Sequence, residues 1–126
     1  MPSARENCAS DAMTAIAVDY WKLLRVVERI MAALPEEKRT RIAAQLRFST
    51  GRLDSHLASL NMSLPTFEGQ VFSAELPAMA INADEFAGAD ILIIDSAIDP
   101  AVILNGKVIQ NARVMLKERE ANVSGN

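Results

Sequence analysis

Few side chains in this 126-residue chain could carry out covalent or acid–base chemistry: one histidine, His56, one cysteine, Cys8, and sixteen carboxylates. Nucleophilic catalysis needs a nucleophile, a base and usually an orienting group brought to one place. His56 falls in a leucine-rich helical pattern beside Leu53, Leu57 and Leu60, and Cys8 falls close to the N-terminus. We read His56 as a bundle residue with a polar or interface role, and Cys8 as a bystander. Metal sites built on Cys and His fail by count, so no metal or other cofactor is expected.

The carboxylates are distributed unevenly. Residues 63 to 104 contain no Lys or Arg and seven acids, Glu68, Glu75, Asp84, Glu85, Asp90, Asp95 and Asp99. Carboxylates in such a stretch could ligate a hard cation or act as an acid–base pair. The compact pairs are Asp84–Glu85 and Asp95/Asp99, and neither sits in the alternating-acid pattern with a sixth-position glycine that an EF-hand loop requires. Their expected role is to solvate loops. The five glycines are isolated from one another, so no glycine-rich phosphate loop is present. Lys38, Arg39, Arg41, Arg47 and Arg52 make a basic helical side, but Glu36, Glu37 and Asp54 flank it, and it reads as a solvated face. The absence of a plausible catalytic set points to a binding or scaffold protein.

The elements that position these residues differ between the two halves. Met13, Ile16, Tyr20, Leu23, Val27, Ile30 and Leu34 recur at spacings 3-4-3-4-3-4, an a/d heptad seam that predicts a helix. Trp21, Leu24 and Met31 widen the stripe to the face of a bundle helix. Ser10 or Asp11 is expected to cap its start. Pro35 is expected to end it and to open a second helix, in whose first turn Glu36 and Glu37 favour the positive dipole end. That helix carries Ile42, Leu46, Leu53, Leu57 and Leu60, with Gly51 as an internal weak point. Seven seam side chains at roughly 1.5 to 3 kcal/mol each amount to more burial than one partner helix supplies. Two hairpins side by side close such a core, which predicts a homodimer built on a four-helix bundle. The alternative is that the second half covers the stripe.

Beyond Leu64 the period changes. Gly69 to Ala74 is a possible short strand, and residues 78 to 90 read as loop or one helical turn. Ile91 to Ile94 is a buried-strand candidate by length and branching. Ala101–Leu104, Asn105–Gly106 and Lys107–Gln110 form a hairpin pattern, because Asn-Gly favours the type I′ two-residue turn. Ala112, Val114 and Leu116 alternate with Arg113, Met115 and Lys117 as one more strand. The expected class is α+β: a flexible N-terminus over 1–10, a helical hairpin and dimerisation region over 11–62, a small, mainly antiparallel β domain over 63–117, and a flexible tail over 118–126.

Charge and composition narrow the function classes. Thirteen basic against sixteen acidic residues give a net charge of −3, which offers no basic field for a nucleic-acid backbone. Residues 1–62 hold nine Lys/Arg and seven Asp/Glu, whereas residues 63–126 hold four and nine, so the excess acid belongs to the β half. No apolar run is long enough to span a membrane, and the first residues lack a secretory signal pattern, so the expected compartment is the cytoplasm.

Two segments resemble the GrpE family, the nucleotide exchange factors of DnaK-type chaperones. Leu104, Asn105, Gly106, Ile109, Ala112 and Val114 fall in register with that family's closing Leu-Asn-Gly-Arg hairpin and last strand, with Lys107 in place of the arginine. Upstream, Gly69, Phe72 and Leu76 match the spacing of its Gly-x-x-Phe-Asp-Pro-x-Leu segment, which likewise follows a helix. Pro77, Ser73–Ala74, Ala101–Val102 and Gln110 depart from the family pattern, and its long N-terminal stalk has no counterpart here. The resemblance implies a non-enzymatic homodimeric co-chaperone that holds open the nucleotide-binding domain of a DnaK-type partner so that ADP leaves. It implies partner contacts at Asn105, Gly106, Lys107 and Leu116, although Leu116 reads equally as a β-core leucine. The alternative is a dimeric protein-binding scaffold that has lost exchange activity.

Overall fold

The computed structural model describes residues 4–86, 88 and 91–119, with the side chains of 4–9 excepted. The chain divides into two compact units, Met1–Ser63 and Leu64–Asn126. Two helices are followed by small sheets, which is the α+β class.

In the first unit, α1 spans Ala4–Met31 and α2 spans Glu36–Leu60, with a short extended segment, β1, at Met62–Ser63. The helix begins well before the cap expected at Ser10 or Asp11. Ser10 lies inside it, its carbonyl accepting a hydrogen bond from Thr14 Oγ1 at 3.0 Å. Ala4, Arg5, Glu6 and Ala9 are good helix formers and continue the helix N-terminally. Pro35 occupies the N-cap position of α2 rather than its first turn, at φ −58° and ψ 150°, with Glu36 and Glu37 directly after it. Its carbonyl receives the amides of Lys38 and Arg39 at 3.1 and 2.9 Å. At the other end Asn61 adopts the left-handed region at φ 55°, which an asparagine tolerates, and its amide reaches back to Ala58. Ala17, Val18, Leu53 and Leu57 are the buried side chains of the helical pair. Tyr20 ties the helices together, its hydroxyl donating to the Ser49 carbonyl at 3.1 Å.

The second unit holds β2 (Ala78–Ala80), a 3-10 turn at Ala83–Phe86, β3 (Leu92–Asp99), β4 (Val102–Leu104), β5 (Lys107–Gln110) and β6 (Ala112–Glu118). One sheet has the order β2-β6-β3. β6 pairs antiparallel with β3 and parallel with β2, so one parallel pair stands in an otherwise antiparallel unit. The alternation expected of β6 places Ala112, Val114 and Leu116 in the core with Ile94 and Ala101, and Phe67, Phe72, Leu76 and Phe86 pack against them. β4 and β5 form an antiparallel hairpin in which Leu104 faces Lys107.

Three local expectations need correction. Residues Gly69 to Ala74 form no regular strand: Gly69 and Phe72 donate to the carbonyls of Ile94 and Leu92, both at 2.8 Å, and Val71 makes an isolated bridge with Ile93. β2 lies where loop or helix was expected. β3 runs through Asp95 and Ser96 to Asp99 instead of stopping at Ile94, because pairing along β6 carries these weak strand formers, with register shifts after Ile94 and Ala97. Asp90 and the tail from residue 120 lie outside the described residues.

Candidate functional site

Each unit presents one surface built from the singled-out residues. On the helical unit the heptad seam faces outward along much of α1. Met13, Ile16, Leu23 and Ile30 are 49, 65, 63 and 57% exposed. Tyr20, Val27 and Leu34 are half-buried. Of the two residues that α1 buries, Ala17 lies beside the seam and Val18 on the opposite side of the helix, so the seam is covered along one edge, at Tyr20 and Val27, and open at Met13, Ile16, Leu23 and Ile30. Val26 and Phe48 add exposed apolar surface. Neither stands out in the sequence pattern, because Val26 falls at a flanking heptad position and Phe48 is out of phase with Leu46, Leu53 and Leu57.

An open apolar groove of about 370 Å3 lies between the helices, lined on one side by Met13, Ile16, Ala17 and Tyr20 and on the other by Leu53, His56, Leu57, Ser59 and Leu60. His56 thus stands among aliphatic side chains. Among the described residues that line the groove, it has no cysteine, carboxylate or second histidine beside it. On α1 the half-buried Arg25 and Trp21 stack, the guanidinium 4.9 Å from the ring centroid, a cation–π contact one helical turn long.

On the β unit the Leu104–Lys107 hairpin forms as its sequence dictates. Asn105 and Gly106 have φ values of +53° and +79°, the two successive left-handed positions of a type I′ turn, and Asn-Gly meets that requirement at low cost. Asn105, Gly106 and Lys107 are exposed. So are Val108 and Ile109, giving the hairpin an apolar shoulder next to its lysine. Sequence alternation could not reveal this, because all four residues of β5 are exposed. Leu116 is placed differently: its side chain is 3% exposed and belongs to the β core, offering no surface to a partner.

Among the described residues, the acids do not converge. Asp99 pairs with Arg113 at 3.1 Å and Asp95 with Lys117 at 3.5 Å, so each of these two carboxylates meets a cation of β6. Glu68 accepts the Ala97 amide at 2.8 Å and fastens the loop in which Phe67 holds φ +61°. A bulky residue rarely takes that conformation, and here the Phe67 ring packs against the core. Asp84 and Glu85 lie exposed in the 3-10 turn. Among the described residues, no three His, Cys, Asp or Glu side chains gather so as to hold a metal ion, and no helix is long and apolar enough to cross a membrane.

The arrangement presents an apolar seam with a groove on the helical unit, and a lysine-bearing, apolar-shouldered hairpin on the β unit. In comparisons with known proteins, no family model, no curated protein and no solved structure matches this chain.

Proposed function

We propose that this protein is a homodimeric, GrpE-like co-chaperone of the cytoplasm that binds the nucleotide-binding domain of a DnaK-type chaperone and promotes ADP release. The observation that carries the reading is the exposed Asn105–Gly106–Lys107 hairpin on a compact β unit that follows a helical hairpin with an open heptad seam. The upstream matching residues also have the roles their types suggest: Gly69 has φ +87°, and Phe72 and Leu76 pack on the β core. A second copy is the occupant that suits the seam. Its 3-4 spacing is the one another helix of the same repeat requires, and this chain carries such a helix. The excess acid lies in the other half, so the nearly balanced charge of residues 1–62 opposes self-association little. Two hairpins joined this way make a four-helix bundle with an isologous interface.

No bond chemistry is needed for such a role. An exchange factor works by binding the open, nucleotide-free form of its partner more tightly than the closed one, and the difference in affinity sets the acceleration. Lys107 supplies a point charge where the family has a bidentate arginine, which favours a weaker polar contact, and Val108 and Ile109 supply apolar area beside it. Loading the cognate chaperone with fluorescent ADP and adding this protein tests the reading. Faster release is the expected result, and an unchanged release rate would overturn it.

A second reading, a dimeric protein-binding module without exchange activity, draws on the departures from the family pattern. Gln110 is exposed on β5 where a basic residue is usual, and Ala101 is fully buried at a glycine position. Stable binding to the same chaperone without faster ADP release, or capture of a different protein through the β unit, would favour it.

A further inference from the structure

We propose that His56 makes self-association of this protein pH-dependent, with the dimer favoured above the imidazole range and weakened below it. The inference rests on the homodimer reading above and concerns its regulation. Met13 and Ile16 belong both to the exposed seam and to the wall of the groove in which His56 stands. A second copy that covers those two side chains therefore also covers the groove, and His56 passes from solvent into an enclosure of aliphatic groups. Among the described residues, the groove's lining offers no compensating charge. From α1 it is lined by Met13, Ile16, Ala17 and Tyr20, and the Tyr20 hydroxyl is directed to Ser49. From α2 the neighbours are Leu53, Leu57, Ser59 and Leu60. Asp11 and Asp19 of α1 do not line the groove. On α2 itself Arg52 is one turn before His56, on the same side of the helix, where a like charge opposes protonation, whereas Asp54, two residues away, points to another side.

The sign follows from these neighbours. An apolar enclosure without a carboxylate disfavours the charged imidazole, so a proton binds the free protomer more readily than the dimer. By linkage, protonation pulls the equilibrium towards monomer as pH falls. The chain has a single histidine, and histidine is the side chain whose charge ordinarily changes between pH 5 and 8, so one substitution at position 56 isolates its contribution. Each protomer contributes one such group. A preference of tenfold per site, the equivalent of one pH unit of differential proton affinity, weakens the dimer by roughly 10- to 100-fold at the acid end.

Sedimentation equilibrium of the full chain at pH 7.5 and pH 5.5, with His56→Gln and His56→Lys alongside, tests the proposal. The expected result is a wild-type dimer whose dissociation constant rises at least about tenfold at pH 5.5. His56→Gln, neutral throughout, should stay dimeric at both values. His56→Lys, charged throughout, should be weak at both. A wild-type dimer of equal strength at both pH values overturns the proposal and leaves the homodimer intact, as does a pH dependence that persists in His56→Gln. A monomer at both pH values in the tens of micromolar overturns the homodimer itself, and the proposal with it. Far-ultraviolet circular dichroism of each variant separates lost association from lost folding.

Discussion

The Asn82 side chain closes both backbone hydrogen-bonding groups of Leu116, a residue 34 positions later: its Nδ2 donates to the Leu116 carbonyl at 3.0 Å, and its Oδ1 accepts the Leu116 amide at 2.8 Å. A single amide side chain thereby extends the β2–β6 pairing one step beyond the end of the short strand β2. Both partners are buried. Asn82→Ala strands a buried donor and a buried acceptor, and we expect a loss of about 2 to 4 kcal/mol in the unfolding of the β unit. A urea midpoint equal to that of the wild type would refute this role.

The same substitution at two glycines should act in opposite directions. Gly106 holds φ +79° in the hairpin turn, and although a Cβ there would meet no neighbour, an alanine would be strained by roughly 1 to 2 kcal/mol. Gly51 lies within α2, also with open space around it, and Gly51→Ala should stabilise the helical unit by about 0.5 to 1 kcal/mol. Thermal unfolding of the two variants gives the signs directly.

Charging the seam separates association from folding. Ile16→Lys with Leu23→Lys changes two exposed side chains, so helix content should persist while light scattering reports a monomer. Leu53→Ala removes a buried side chain at a cost of about 2 to 5 kcal/mol and should unfold the helical pair instead. A dimer that survives the double lysine variant would show that the seam is not the interface.

The hairpin residues and the core residue Leu116 should part company in the exchange assay. Lys107→Ala, with an exposed side chain, should leave the urea midpoint within about 0.5 kcal/mol and slow exchange by roughly two- to fivefold. Val108→Ser with Ile109→Ser should behave alike, with a larger loss of binding. Leu116→Ala should act through stability, by about 2 to 5 kcal/mol, because its side chain is enclosed. Equal exchange rates for wild type and both hairpin variants would remove the hairpin from the contact.

Legibility in the sequence follows the range of the interaction that decides each element. The Asn105–Gly106 turn is local chemistry, since two adjacent residues tolerate positive φ, and the hairpin forms where that predicts. The Ala112, Val114 and Leu116 alternation is likewise visible within one strand and places all three in the core. β2 is not legible: Ala78–Met79–Ala80 has little strand preference of its own and becomes a strand by pairing with residues 112 to 114. The outer half of β3 is extended by the same remote partner. For the site, heptad spacing shows which α1 residues share a stripe but not which flank of it turns inward. Ala17, small and without a polar signal, takes that place and lines the groove beside His56.

The order of strands in the sheet also sets an order of events. β6 follows every other strand along the chain, yet it stands between β2 and β3, so neither pair of that sheet can exist until β6 has been synthesised. The helical hairpin depends on no later residue for its Tyr20–Ser49 tie and can be complete while β strands are still emerging from the ribosome. Pairing across long loops is slow as well as late. On a polysome, the proposed pairing of nascent chains through their seams could therefore begin before either had closed its β core.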